Sequence, residues 1–412
     1  MHETTQERRG AVALDEDGEE VSGSATILSS ISGLTNTIIG AGMLALPHAY
    51  ATMGWLLGTV LVLLCAMVTN FGLHLVKLCE VRMELRPQSF YDMTSQVMPS
   101  AVWYFDATIF VKLLWVVVSL VLVSPVCFYR KLHQMRWVGY LNMAAVLYLL
   151  VIMLYYFLSG TARAALPPRG EIAAVIFSTD VLRTFPIMVF AYTCAQNILP
   201  VYSELHHSTV KRSSIVTILS LGASAMVYVV VASVGYATFG AQVGDNIIAM
   251  YPSSSMFVSI GKLSVIALTL TSYPMQLYPC RASLINMLEV NANVLSSENT
   301  EESMLGPTSA EMDPVNHYEI NDQRWSLLTL TLMTAGLLVS LLIDDLSIVL
   351  GIVGSVGSTT ISFILPALLY RRMYDDEPNT TLHSSAFFLG IWGGAVLVLA
   401  LFINISRIFQ GM

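Results

Sequence analysis

The chain has 412 residues, of which 55% are hydrophobic and 12% are charged, and its formal net charge is −8. A soluble protein has about 25% charged residues, so this composition excludes an ordinary cytosolic enzyme and a disordered chain. The net negative charge leaves no basic surface for DNA or RNA, and no nucleic-acid partner is expected. The five cysteines show no CxxC spacing, so the sequence signals neither a zinc site nor a disulfide framework.

Long apolar runs dominate the sequence. A helix needs about 20 apolar residues to cross the hydrocarbon core of a bilayer. The runs lack the alternation typical of barrel strands, so we predict an all-α, polytopic helical bundle in the lipid bilayer. Ten runs are long enough: 25–50, 54–79, 103–128, 138–159, 176–202, 213–238, 257–287, 325–343, 346–370 and 384–408.

Two acidic segments stand apart from these runs. Residues 1–24 are predicted to form a flexible cytosolic tail and residues 288–323 a disordered loop, because both are rich in acidic residues and poor in apolar ones. A solvated linker is favoured over a regulatory role for each. Residues 25–409, with the loop 288–323 among them, are predicted to be one transmembrane transporter domain.

The distribution of positive charge does not fit ten alternating spans. Cytosolic loops carry the excess of Lys and Arg, but ten spans with the N-terminus inside put ten such residues inside and nine outside. One extra crossing between Arg86 and Arg130 changes this to fourteen inside and five outside. Since the run 103–128 crosses only once, we infer a missing helix, lost by deletion or in a mis-spliced gene model, with Lys112 at the junction. The alternatives are that the charge rule fails here or that Lys112 snorkels.

The first run contains helix-weakening residues at mid-membrane depth. Gly40, Ala41 and Gly42 follow Asn36 by about one turn and precede Pro47. Glycine costs about 1 kcal/mol relative to alanine inside a helix, so a broken helix is predicted here. Such breaks are tolerated in lipid only where the backbone faces protein or a wet cavity, and the freed peptide groups suit a carboxylate, a cation or an ammonium group. The alternative is a small-residue helix-packing face.

The fifth run places polar groups in the middle of a span, namely Tyr192, Thr193, Cys194 and Gln196. Such groups are costly in lipid unless they meet partners or solvent. They lie about one inverted repeat after the first run, where transporters place a second broken helix. Interhelical hydrogen bonding alone is the alternative.

The seventh run carries hydroxyl side chains, among them Thr271 and Ser272, whose oxygens suit a small cation. Hydroxyls also bond back to their own helix, and this reading stays equally open.

Together these segments resemble the amino acid/auxin permease family of eukaryotic transporters, in the style of its vacuolar amino-acid exporters and sodium-coupled neutral amino-acid transporters. The resemblance covers about 25–409 and rests on four segments in the family order: NTIIGAGMLALPHA, SPVCFYRKLHQMRWVGY, FAYTCAQNILPVYSEL and SYPMQLYPCRAS.

This resemblance implies a broken-helix, inverted-repeat fold of the LeuT/APC type with eleven helices, of which the third is largely absent here. It also implies that Asn36 and Ser272 match positions of a cation site in the sodium-coupled branch. Ala195 stands where many relatives carry His, which removes a proton-sensing group from that position. The exporter branch favours a vacuolar or lysosomal endomembrane, with the plasma membrane as the alternative.

The predicted function is secondary transport of amino acids coupled to H⁺ or Na⁺, with no enzymatic activity and no cofactor. Backbone N–H groups of Gly40, Ala41 and Gly42 are assigned to the substrate carboxylate, and carbonyls near Thr193 and Cys194 to its ammonium group. No charged side chain stands mid-span apart from Lys112, which favours neutral amino acids. The alternatives are an amino-acid sensor without turnover and an inactive product that lacks one scaffold helix; no oligomeric state is predicted.

Overall fold

The computed structural model describes residues 26–40, 42–83, 90–97, 136–178, 180–205, 209–297, 326–335, 346–375 and 381–410. Every regular element in these residues is helical. The first half of the chain contains α1 (Ile27–Ile38), α2 (Gly42–Met53), α3 (Trp55–Arg82), α4 (Phe90–Val97), α5 (Arg136–Leu158), α6 (Gly160–Arg163), α7 (Asp180–Ala191), a 3-10 turn (Ala195–Asn197) and α8 (Ile198–Glu204).

The second half begins with the longest helices. It contains α9 (Val210–Phe239), 3-10 turns at Gly240–Gln242 and Ile247–Met250, α10 (Met256–Ser297), α11 (Ser326–Ala335), α12 (Leu346–Val353), two π-helical segments (Gly354–Ser358 and Thr360–Ile364), α13 (Leu365–Met373) and α14 (Thr381–Gln410).

Helix α10 is longer than the apolar run that predicts it. It has 42 residues, or about 63 Å at 1.5 Å per residue, against a hydrocarbon core of about 30 Å. It continues through 288–297, which the acidic composition assigned to a loop. These ten residues contain no Gly or Pro, so nothing in the backbone stops the helix. Residues 298–323 and 1–24 lie outside the described part of the chain.

The prediction of a polytopic helical membrane protein is confirmed. Over the described residues, five helices are long and apolar enough to cross a membrane, or six if the bent pair α1–α2 counts as one span. The five are Trp55–Arg82, Leu141–Leu158, Val210–Gln242, Val349–Met373 and Thr381–Ser406. The count of ten spans stays a prediction, because the run 103–128, with Lys112, lies outside the described residues.

Hydrogen bonds between loops define one end of the bundle, which we call the outer end. The Trp55 N–H donates to the Ala173 carbonyl over 3.2 Å, and the Ile176 N–H donates to the Met53 carbonyl over 2.8 Å. The loop 164–178 also meets the end of α9, since the N–H of Gly170 donates to a carbonyl there over 2.9 Å. The turn after α2, the loop before α7 and the end of α9 therefore lie together.

The opposite end, which we call the inner end, is where α3 and α13 finish. The Tyr374 hydroxyl donates to the Leu78 carbonyl over 3.1 Å, and the Arg82 guanidinium lies 4.2 Å from the centre of the Tyr374 ring.

These two ends fix the direction of the early helices. Helix α3 runs from the outer end to the inner end. Helix α5 finishes at the outer end, because Arg163 in the following α6 donates to the Thr238 carbonyl at the end of α9 over 3.2 Å. Helix α5 therefore begins at the inner end, where α3 stops. Ten strictly alternating spans would put the loops 50–54 and 159–176 on opposite sides, but the structure places them on the same side.

Helix α9 is central to the packing. It lies against α1, α2 and α3, while α2 also packs against α7. The core among them is apolar, whereas α14 exposes large apolar side chains, among them Phe388, Trp392, Leu399 and Phe402. An exposed apolar surface of this kind is typical of a face that meets another apolar phase.

Candidate functional site: two facing helix breaks

The first break separates α1 from α2. Helix α1 ends at Ile38, α2 begins at Gly42, and the two axes differ in direction by 57°. The Ile39 N–H closes the last turn of α1 on the Thr35 carbonyl, over 2.8 Å. The predicted interruption of the first run is thus confirmed; Ala41, within it, lies outside the described residues.

The two glycines of this break have different surroundings. A Cβ atom added at Gly40 would meet nothing within 4 Å, so this residue borders open space. A Cβ added at Gly42 would lie 2.8 Å from the Cα atom of Ala191 and 3.4 Å from the Phe190 ring. Gly42 is therefore where the first break touches the end of α7.

The second break follows Ala191. The chain leaves the helix for three residues and resumes as a 3-10 turn before α8. The Thr193 hydroxyl turns back to the Val189 carbonyl over 3.1 Å, and the Asn197 N–H donates to the Cys194 carbonyl over 3.0 Å. The predicted interruption of the fifth run is also confirmed. Its predicted site residues are all buried: Tyr192, Thr193, Cys194 and Gln196.

A residue that the sequence reasoning missed joins the two breaks. The Tyr228 hydroxyl, on α9, lies 2.6 Å from the Ile38 carbonyl oxygen and 2.8 Å from the Ala191 carbonyl oxygen. One hydroxyl group therefore donates a shared hydrogen bond to the last carbonyl of α1 and to the last carbonyl of α7. The Tyr228 ring packs edge-on against the Tyr192 ring with centroids 5.1 Å apart. A polar aromatic residue in the apolar run 213–238 was the available signal.

Two buried hydroxyls beside the breaks have no hydrogen-bond partner among the described residues. They belong to Tyr192, which is 0% exposed, and to Thr35, which is 4% exposed. A buried phenol usually finds a partner, so the Tyr192 hydroxyl has a hydrogen-bonding capacity that a ligand can satisfy.

Asn36 and the hydroxyls of α10 were predicted as cation ligands. Asn36 is buried in the last turn of α1. Thr271 donates to the Asn142 side-chain oxygen over 2.7 Å, and the Asn142 amide donates to Ser272 over 3.4 Å. Thr271 also lies 2.8 Å from the Ala267 carbonyl of its own helix. The structure thus adds Asn142 of α5, which the sequence reasoning missed, and the assignment of a cation remains a prediction.

Two charged side chains toward the ends of the predicted runs 54–79 and 257–287 are buried. Lys77 is 1% exposed, and its ammonium lies 3.0 Å from the Glu80 carboxylate and 4.8 Å from the centre of the Tyr202 ring. Arg281 is 2% exposed and donates to the Thr329 hydroxyl over 2.8 Å. These charges are tolerated because each has a partner.

A cavity of about 410 Å³ lies at the outer end, away from the breaks, and is lined by Tyr155, Tyr156, Ala162, Ala165, Ser255 and Phe257. No group of three or more His, Cys, Asp or Glu residues that could hold a metal ion occurs in the described part of the chain.

Two interrupted helices whose peptide ends meet inside an apolar bundle are typical of membrane transporters for small polar solutes. The chain belongs to the transmembrane amino acid transporter protein family, whose model matches residues 23–124 and 93–406. This is a family of transporters and not of enzymes. The two matched stretches overlap over 93–124 instead of forming one continuous match.

Full-length fungal relatives align over almost the whole chain. "Vacuolar amino acid transporter 5" of Schizosaccharomyces pombe is 29% identical over 430 positions, which cover 94% of this chain and 96% of the relative. "Vacuolar amino acid transporter 6" of Saccharomyces cerevisiae is 25% identical, with 92% and 98% covered. The first alignment has more positions than the 412 residues of this chain, so that relative contains residues that this chain lacks.

A more distant relative, "Putative sodium-coupled neutral amino acid transporter 10" of Xenopus laevis, is 23% identical over 91% of this chain and 37% of its own length.

Proposed function

We propose that the protein is a secondary active transporter that moves amino acids, neutral ones in particular, across a vacuolar-type membrane by alternating access. The observation that carries this proposal is the contact between the two helix breaks, at Gly42 and Ala191 and through the hydroxyl of Tyr228. The fungal relatives, named as vacuolar amino acid transporters, support both the substrate class and the membrane.

The breaks offer complementary groups to a zwitterion. The first N–H groups of a helix lack intrahelical partners and attract anions, so Gly40, Ala41 and Gly42 are assigned to the substrate carboxylate. Carbonyls near Thr193 and Cys194 are assigned to the ammonium group.

Space and an unused hydroxyl support this assignment. The open space beside Gly40 leaves room for the substrate, and the buried hydroxyl of Tyr192 supplies a further polar contact.

The position of the buried charges supports a neutral side chain on the substrate. The Lys77–Glu80 pair lies at the inner end of α3, and Arg281 is bonded to Thr329 of α11. A charged substrate side chain in a low-dielectric site needs an opposite charge beside it.

The proposed coupling ion is H⁺ or Na⁺. Neutral oxygens of Asn36, Thr271 and Ser272 suit Na⁺, which prefers oxygen ligands as other hard cations do, and Asn142 holds two of these residues in place. Uptake measured with Na⁺ replaced by choline at two pH values separates the two ions. A loss of uptake in choline at both values assigns Na⁺; a dependence on pH alone assigns H⁺.

We further infer a LeuT-type inverted-repeat fold that lacks one crossing between α3 and α5. Because α3 ends and α5 begins at the inner end, the intervening chain needs an even number of crossings, while its sequence contains one run long enough to cross. The overlapping family matches at 93–124 support the same location. Sequencing the transcript tests the gene-model explanation: a mature message with extra codons near position 112 supports it, and a message without them leaves a true deletion.

The main test is uptake of a panel of amino acids into vesicles that carry this chain, beside a version with the missing helix restored. Uptake of neutral amino acids by this chain supports the proposal. Uptake by the restored form alone shows that this chain is an inactive product, and uptake by neither overturns the proposed function.

A variant tests the site itself. Gly40→Val fills the open space beside the first break, so we expect the KM for the substrate to rise about tenfold, which corresponds to the loss of about 1.4 kcal/mol of binding. Gly33→Val is the matched control, because Gly33 on α1 also borders open space. Equal transport by Gly40→Val and wild type would contradict the assignment of the carboxylate to this break.

A further inference from the structure

At the outer end of the bundle, both ring nitrogens of one histidine contact the same loop. His48 lies on α2, the outer half of the first broken helix. Its Nδ1 atom lies 3.3 Å from the Val243 carbonyl oxygen, and its Nε2 atom lies 3.3 Å from the Asp245 carboxylate. Both partners belong to the loop that follows α9.

This geometry selects one protonation state. A neutral imidazole has one N–H donor and one acceptor nitrogen, whereas an imidazolium has two donors. Since both ring nitrogens of His48 face oxygen acceptors, only the imidazolium satisfies both contacts. In the neutral form one ring nitrogen faces an oxygen lone pair, so at least one contact is lost.

The loop that follows α9 is held in place by hydrogen bonds. Helix α9 ends at Phe239, and the next residue, Gly240, has a positive φ of 62°. The Ala241 N–H donates to the Glu171 carbonyl over 3.0 Å. The Gly244 N–H lies 2.9 Å from the Met250 sulfur. Helix α2 is separated from α1 by the glycine-containing break, so no continuous helix fixes its position relative to this loop.

Other titratable groups near this end do not replace Asp245. Burial raises the pKa of the Tyr251 phenol, which therefore stays neutral, and the Tyr236 hydroxyl accepts from the Ala173 N–H. Among the described residues, Asp245 is the only acidic side chain within 4 Å of His48. Further charged groups on the elements and loops around α2 at this end are Arg163, Arg169, Glu171 and Asp180.

We propose that His48 and Asp245 form a proton-binding site that holds α2 against the outer loop while the imidazole is doubly protonated. Protonation of His48 then stabilises the arrangement in which the outer half of the broken helix is packed against this loop, and loss of that proton weakens it. The site binds a proton whether or not the protein transports; its effect on transport rests on the proposed function.

Hydrogen–deuterium exchange on the full-length protein in lipid nanodiscs tests the site without any substrate. Exchange is compared at about pH 5 and about pH 7.5, on either side of the usual histidine pKa of about 6.5, with labelling times scaled to the intrinsic chemical rate. We expect peptides from 42–53 and 243–250 of wild type to exchange about fivefold more slowly at the lower pH, since partly exposed charge pairs have effects of this size.

Four variants sharpen the result. His48→Gln and Asp245→Asn should lose the pH dependence, and His48→Lys, which stays charged at both pH values, should retain protection at both. His74→Gln, on α3, is the matched control and should behave as wild type. Equal protection of wild type at both pH values, or pH-dependent protection that persists in His48→Gln, would overturn the proposal.

A transport assay then connects the site to function. The initial uptake rate of an amino acid that wild type carries should change with outer pH in wild type and not in His48→Gln. If wild type carries no amino acid, the proposed transport function fails, while the exchange experiment still decides whether the proton site exists.

Discussion

The two helix breaks are built in different ways. The first lies between Ile38 and Gly42 and is rich in glycine: Gly40 borders open space, and Gly42, where α2 begins, touches Ala191. The second contains polar residues, of which Thr193 bonds back to the Val189 carbonyl, and the chain from Tyr192 to Gln196 is buried.

This difference suggests separate tasks. A break without side chains lets another group approach its peptide bonds closely, which suits substrate contact. A break in which a side chain bonds back to the backbone, as Thr193 does, has a defined and rigid shape. The single donor that both share, the hydroxyl of Tyr228, keeps the open break aligned with the rigid one.

The largest expected effect comes from forcing the breaks apart. In Gly42→Ala the new Cβ would lie 2.8 Å from the Ala191 Cα atom, and because that atom is backbone, the helices must separate. We expect initial uptake to fall about 100-fold, since a misplacement of about 1 Å costs this much.

Gly33→Ala is the control, because its Cβ meets nothing within 4 Å. Elution of both variants as single folded species on size-exclusion chromatography would separate a transport defect from misfolding. Uptake by Gly42→Ala at the wild-type rate would show that the contact between the breaks is dispensable.

A smaller effect is expected when the shared donor is removed. Tyr228→Phe leaves the carbonyls of Ile38 and Ala191 without this hydroxyl, and an unsatisfied buried acceptor costs about 1–3 kcal/mol. We expect about tenfold slower uptake together with a lower Tm. Tyr148→Phe is the matched control, because its hydroxyl donates to the Phe257 carbonyl far from the breaks. If both variants lose Tm but neither loses uptake, Tyr228 has a structural role only.

The smallest effect concerns affinity alone. Tyr192→Phe removes a buried hydroxyl that has no partner among the described residues, so we expect an unchanged or slightly raised Tm. If the hydroxyl contacts the substrate, KM rises by about fivefold to tenfold at an unchanged maximal rate, as the loss of one hydrogen bond predicts. An unchanged KM would place the substrate away from this side of the second break.

Both breaks could be predicted because each has a local cause. Gly40 and Gly42 weaken a helix wherever they lie, and the cluster from Tyr192 to Gln196 is costly in lipid in any fold. The same local reasoning failed for 288–297, where acidic neighbours suggested a loop but the absence of Gly and Pro allows α10 to continue.

The partners could not be predicted in this way. Tyr228 is separated from Ile38 by 190 positions and Asn142 from Thr271 by 129, and no periodicity in one helix identifies the residue that faces it on another. The two contacts of His48 with the loop after α9 are of the same kind.

The sequence by itself determined that this protein is a helical membrane protein, where its first and fifth runs are interrupted and which family it resembles, because hydrophobic length, helix-breaking residues and motif order are all properties of contiguous segments. Only the tertiary structure decided that the breaks meet at Gly42, that one tyrosine serves both, and that α3 ends and α5 begins at the same end of the bundle. These facts depend on which distant segments pack together, and packing is decided by the shapes of whole helices and not by the residues of one.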